Sequence, residues 1–182
     1  FLSIFLSLYF YSSDIFINIF GTNFFYRIDR LLDWKNGNSY QLNNALISIG
    51  SAGLFGFGFN NIPLYFPEAS TDFIFAVVAT NYGFIGTLIL ISTIIYFDIN
   101  IIKIAIKIKN KTNKLIISGI ISMMLYQQIQ NIGMNVGLLP ITGITLPFIS
   151  YGGSSLISYM ISIGIIINID NKRKNVNLTK IF

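Results

Sequence analysis

This chain has neither histidine nor cysteine, so acid–base work falls to Asp, Glu, Tyr or Lys, and thiolate and disulfide chemistry are excluded. Two of its seven acids, Glu68 and Asp72, stand four residues apart in Phe66-Pro67-Glu68-Ala69-Ser70-Thr71-Asp72-Phe73-Ile74-Phe75-Ala76. Directly behind Asp72 begins an uncharged run of 25 residues, Phe73 to Phe97. That length crosses the roughly 30 Å hydrocarbon core of a bilayer with some tilt, which puts a carboxylate at the mouth of a membrane helix. A carboxylate there costs free energy and is a functional candidate on that ground. The competing reading is a helix cap, since Ser70, Thr71 and Asp72 can each accept from the first free N–H groups. A second set of candidates lies at 133–155, where Gly133, Gly137, Pro140, Gly143 and Pro147 break regular backbone and Thr142, Ser150, Tyr151 and Ser154 carry hydroxyls. Gly152-Gly153, near a helix start, expose N–H groups suited to an anion such as a pyrophosphate. The alternative for this set is structural, with small residues packing helices and hydroxyls bonding freed backbone.

The elements that must position these residues are membrane helices. Hydrophobic residues make up 53% of the chain and charged residues only 10%, against about 25% in soluble domains. The expected fold is an all-α polytopic membrane protein, one domain with about four transmembrane helices at about 1–20, 73–97, 115–138 and 147–169. The first is interrupted by Asp14. A large irregular loop, 21–71, precedes the second span and a short loop, 139–146, separates the last two. Within the large loop, Tyr40 to Ile49 reads as a short helix. Gly50, Gly53, Gly56 and Gly58 then read as an irregular or re-entrant segment that needs protein or a wet cavity around its backbone. Those glycines suit close packing better than phosphate binding, for which a lone glycine-rich run is weak support. Gly83 and Gly86, three apart on the second span, offer a small-residue surface for close helix contact.

Nine of the twelve basic residues fall in the loop 98–114 and the tail 170–182. Two intervening helices put both segments on one side, the cytoplasmic side by the positive-inside rule. Loops 21–71 and 139–146 then face outward, carrying Glu68 and Asp72 with them. Basic residues flanking spans suit anionic lipid head groups and argue against nucleic acid as a partner. The chain begins at Phe1 within an apolar run that lacks the basic flank and small-residue cleavage site of a signal peptide, and reads as part of a longer protein.

The run from Asn131 to Ser155, with its Pro-Ile-Thr-Gly and Leu-Pro-Phe-Ile-Ser-Tyr-Gly-Gly-Ser segments, resembles the signature of the SEDS family (shape, elongation, division and sporulation: FtsW, RodA, SpoVE). A second stretch is similar to the family as well: Tyr40-Gln41, Ala45-Leu46, Ile49-Gly50, the glycines at 53, 56 and 58, Phe66-Pro67-Glu68 and Thr71-Asp72-Phe73-Ile74-Phe75-Ala76. Arg27 and Arg30 resemble the start of the family's large outer loop. The resemblance covers about residues 20 to 170 and implies the last four of about ten spans. It implies a peptidoglycan glycosyltransferase that polymerises lipid II outside the membrane, with Asp72 at the place of the family's essential aspartate and a class B penicillin-binding protein as transpeptidase partner. Thr80-Asn81 stand where the family carries one or two Glu, and Ser70 where a histidine is often found.

The mechanism this implies has Asp72 as general base toward the acceptor's sugar hydroxyl. Positive charge or oriented donors take up the departing pyrophosphate, from Arg27 and Arg30 or from a divalent cation (Mg or Mn) shared with Asp72 or Glu68. Two other functions are open to the same residues. One is a flippase for the lipid-linked precursor, since irregular segments between short spans suit transporters. The other is a non-catalytic membrane scaffold for a transpeptidase, which the absent Glu residues favour.

Overall fold

The computed structural model describes residues 17, 22, 32–35, 37, 39–59, 61, 63–65 and 67–178. The helix expected at 1–20, apart from residue 17, and both Arg27 and Arg30 lie outside the described residues. Four helices can be delimited among the described residues: α1 (Tyr40–Ser51), α2 (Ile74–Lys107), α3 (Lys111–Asn135) and α4 (Gly153–Leu178). No strand occurs among the described residues. Among the described residues two helical stretches, Ile74–Lys107 and Gly153–Lys174, are long and apolar enough to cross a membrane. The 25 residues of α3 have the length, but Gln127, Gln128, Gln130, Asn131 and Asn135 make its upper half polar.

The lysine-rich loop expected at 98–114 is mostly helix. Ile101, Ala105, Ile108 and Ile117 form one buried cluster with Ile166 and Ile169 of α4. That apolar face carries α2 on to Lys107 while Lys103 and Lys107 stay exposed, as an amphipathic helix allows. Only residues 108–110 connect α2 to α3. Asn110 starts α3 by accepting from the Thr112 N–H at 2.9 Å and the Asn113 N–H at 3.4 Å, an N-cap arrangement. Helix α4 likewise begins at Gly153 rather than 147, which extends the second irregular segment to 136–152.

Helix α2 is not the single span expected at 73–97. Gly83 sits at φ 64°, ψ −159° inside it, a backbone conformation open to glycine alone. The helix folds back there. Asp72 and Asp98 are 26 residues apart, ~39 Å along a continuous helix. Yet the Asp72 carbonyl bonds Asn131 and the Asp98 carboxylate bonds Gln128, two α3 residues only ~4.5 Å apart along that axis. Residues 74–82 therefore run parallel to the end of α3, with Ala76 against Asn135, and residues 84–107 run back antiparallel to it.

The glycine-rich segment after α1 closes over this break. The N–H groups of Phe57 and Gly58 donate to the carbonyls of Thr80 and Asn81, each at 3.0 Å. Those of Phe84 and Ile85 donate to the carbonyls of Gly53 and Leu54 at 3.0 and 3.2 Å. Backbone freed by the break is thereby satisfied by protein, the condition for irregular chain at membrane depth. A Cβ on Gly56 would strike the Asn81 carbonyl and one on Gly83 the Gly56 amide. Gly83 thus serves contact with a loop backbone rather than with a helix, and Gly86 faces the Cβ of Tyr82 across the break.

Candidate active site

The approach to Asp72 is built on Glu68, a non-glycine residue at φ 57°. Its carbonyl accepts from the N–H groups of Thr71, Asp72 and Phe73 at 3.1–3.2 Å. Its carboxylate accepts from the Thr71 hydroxyl at 2.8 Å, so Glu68 is a turn-forming residue as well as an exposed acid beside Asp72. The N-cap position of α2 falls on Phe73, which makes no side-chain cap bond. The Ala76 N–H is taken instead by Asn135 Oδ1, at 3.1 Å across from α3.

The carbonyls of three consecutive residues are claimed from other elements. The Tyr151 N–H donates to Ser70 O at 2.9 Å, and the Ser150 hydroxyl donates to Thr71 O at 2.6 Å. Asn131 and Asn135 both donate through Nδ2 to Asp72 O, at 2.9 and 3.0 Å. Asn131 Nδ2 also donates to Ile144 O at 2.7 Å, and Gln130 Nε2 to Pro140 O at 3.0 Å. These bonds draw two irregular segments, 68–73 and 140–151, down beside α3 and against each other. Phe73 and Ala76 pack with Leu42 and Ala45 of α1, and with Trp34, Ala69 and Ile141 at the edge. Trp34 Nε1 adds a bond of 3.0 Å to Gly137 O.

Gly143 faces the Asp72 carboxylate. A Cβ built on it would lie 3.3 Å from Asp72 Oδ2, and its φ of +71° suits glycine. Thr142 therefore lies beside Asp72 in the chain's folded path and is exposed, as are Tyr151, Gly153 and Ser154, while Gly152 is half-buried. The Ser150 hydroxyl is committed inward, since it also accepts from the Leu146 N–H at 2.8 Å. It thereby helps hold the Asp72 turn. Gly152 O accepts from the Ser155 hydroxyl and the Leu156 N–H at the start of α4.

On its other side the same segment meets hydrocarbon-like surface. Phe148, at φ 64°, packs between Phe97 and Tyr159 with ring centroids 5.5 and 5.3 Å away. A cavity of about 290 Å³ there is lined by Leu90, Phe97, Phe148, Met160 and Ile163 among others. Among the described residues no three His, Cys, Asp or Glu side chains come together as a metal cluster. Thr80 and Asn81 are buried at the fold-back. The Thr80 hydroxyl donates to Ala76 O at 2.7 Å.

Asn131 and Asn135 are the residues sequence reasoning passed over. Both are 0% exposed. Their signal was present as amides that extend the polar run Gln127, Gln128 and Gln130 within the uncharged stretch 115–169, where polar groups are expensive and carry partners.

Long apolar helices and two backbone segments dipping beside α3 define a helical membrane protein. The chain belongs to the FtsW/RodA/SpoVE family, whose "cell cycle protein" model matches residues 2–175. It is 39% identical over 156 residues to stage V sporulation protein E of Bacillus subtilis (strain 168), covering 79% of this chain and 42% of that protein. It is 41% identical over 163 residues to a probable peptidoglycan glycosyltransferase FtsW of Coxiella burnetii, covering 82% and 44%. With the peptidoglycan glycosyltransferase RodA of Treponema pallidum it shares 36% over 138 residues, covering 74% and 32%. A solved chain from work on polymerization and crosslinking by a peptidoglycan synthase complex is 25% identical with a TM-score of 0.67, covering 94% of this chain and 48% of that one. The chain thus spans less than half the length of the relatives it matches.

Proposed function

We propose that this chain carries the catalytic aspartate of a peptidoglycan glycosyltransferase, acting on a polyprenyl-pyrophosphate-linked disaccharide (lipid II) at the outer face of the cytoplasmic membrane. The observation that carries the reading is the Asp72 turn. Its backbone is tied to α3 and to the segment 144–151, and its carboxylate faces Gly143. The names of the relatives support glycosyl transfer over the transporter and scaffold readings. With nine of twelve basic residues at the far ends of the helices, the positive-inside rule puts the Asp72 end outside.

In the reaction the acceptor's sugar hydroxyl attacks the donor's anomeric carbon. A new C–O bond forms, the bond to the pyrophosphate oxygen breaks, and Asp72 takes the hydroxyl proton. General-base assistance of this kind contributes about 10²–10⁴-fold. Thr142, Tyr151 and Ser154 border the site as hydrogen-bonding residues for sugar. The pyrophosphate leaves toward the N–H groups of Gly152 and Gly153 at the start of α4; Arg27 and Arg30 are further cation candidates on sequence grounds alone. Were a Mg or Mn ion bound, Asp72 and Glu68 would be the carboxylates to hold it, and it would supply charge neutralisation at the phosphates. A segment with the Asp72 turn on one side and an apolar cavity on the other suits a substrate with a water-soluble head and a hydrocarbon tail. The solved neighbour's complex couples polymerization to crosslinking, which supports a class B penicillin-binding protein as partner. The test is reconstitution of the full-length protein with lipid II. Glycan strands resolved on a gel are the expected product, and lipid flipping without polymer would contradict the reading.

A further inference from the structure

We propose that Asn131 and Asn135 are positioning residues for Asp72, acting as a two-sided clamp on its backbone. The inference rests on the role given to Asp72 above and assigns a function to two side chains that touch no substrate.

The geometry leaves each amide one orientation. Asn135 Oδ1 accepts the Ala76 N–H at 3.1 Å, so its Nδ2 is the atom aimed at Asp72 O. Asn131 Nδ2 lies between two carbonyl oxygens, Asp72 O and Ile144 O, and the flipped amide would set oxygen against oxygen. A turn apart on one helix face, the two donors fill both lone pairs of the Asp72 carbonyl. Asn135 Nδ2 also donates to Asn131 O at 2.8 Å, which couples the pair.

Asn131 is the more telling residue. It joins the Asp72 carbonyl to the carbonyl of Ile144, and Ile144 adjoins Gly143, the residue that faces the Asp72 carboxylate. One side chain therefore sets the distance between the acid and the segment opposite it. A misplacement of about 1 Å at a reacting group costs up to 10²-fold in rate. Loss of the clamp should therefore appear in kcat rather than in substrate binding.

The experiment compares full-length wild type, Asn131→Ala, Asn131→Ser, Asn135→Ala and Asp72→Asn in lipid II polymerisation. Rates are taken per folded molecule, with melting temperature and gel-filtration profile measured alongside. The expected result is a fall in kcat of at least 10-fold for Asn131→Ala with KM within about twofold, and a fall no larger for Asn131→Ser, whose single hydroxyl donor serves at most one carbonyl and cannot bridge two. Asn135→Ala should in addition lose hydrogen-exchange protection at the Ala76 amide. Should Asn131→Ala fail to fold, Asn131→Ser decides: a reduced kcat supports the clamp and a wild-type kcat overturns it. Wild-type kcat in a folded Asn131→Ala protein, beside an inactive Asp72→Asn, would overturn the positioning role and leave the base in place. Activity retained by Asp72→Asn would instead remove the reading on which the inference stands.

Discussion

Replacing Gly83 by alanine should destabilise the fold, and the sign of the effect separates a folded-back α2 from a continuous one. In a continuous apolar helix, Gly→Ala stabilises by up to about 1 kcal/mol. Here Gly83 holds φ 64°, ψ −159°, and an added Cβ strikes the Gly56 amide and the Leu54 carbonyl. Forcing a side chain into such a region costs about 1–3 kcal/mol. The collision also pushes away the loop whose four backbone bonds cross the break: Phe57 to Thr80, Gly58 to Asn81, Phe84 to Gly53 and Ile85 to Leu54. At about 1 kcal/mol net for each bond, with part of the set retained after local shifts, the combined loss is about 3–6 kcal/mol. The assay is thermal unfolding of the purified full-length protein in detergent. A lowered melting temperature is expected, by less per kcal/mol than the roughly 2–4 °C of a 150–250-residue domain, because the full-length protein is larger. An unchanged or raised melting temperature for Gly83→Ala would refute the fold-back and the membrane depth it gives Asp72.

Three further outcomes follow from the packing around the site. Phe73→Ala empties a fully buried position between α1 and the start of α2 and should cost about 3–5 kcal/mol, read as a lowered melting temperature with loss of polymerisation. Ser150→Ala removes the hydroxyl that joins Thr71 O to the Leu146 N–H. Stability should fall by about 1–3 kcal/mol and kcat should fall with it in the lipid II assay. Asp98→Asn retains an acceptor oxygen for Gln128 Nε2 and should leave the melting temperature unchanged or raised, whereas Gln128→Leu should lower stability by about 1.5–3 kcal/mol.

The parts of this structure that are local in sequence were legible there. Ser39 caps α1 through its hydroxyl, and the helix starts at Tyr40 where the apolar stripe begins. The prolines and glycines of 137–147 interrupt helix where they occur. Asp72 stands out because an acid borders a long uncharged run. What escaped depends on partners far along the chain. Hydropathy reads 73–97 as one span because every residue in it is uncharged. Its reversal turns on one glycine and a loop about 25 residues earlier. The lysines at 103 and 107 read as loop, although Ile101, Ala105 and Ile108 continue a buried face past them. Asn131 and Asn135 are visible as polar residues in the uncharged stretch 115–169, but their shared acceptor lies 59 and 63 residues away. The sequence leaves Ser150 two readings, a hydroxyl for substrate or one bonding freed backbone. Only the folded chain turns its hydroxyl onto Thr71.

The role of Asp72 can be measured by substituting one atom group. Asp72→Asn preserves the side chain's shape and removes its basicity. In the full-length protein, reconstituted with lipid II and checked for an unaltered melting temperature, strand synthesis should fall by at least about 10². Polymerisation within twofold of wild type by that variant would contradict the account.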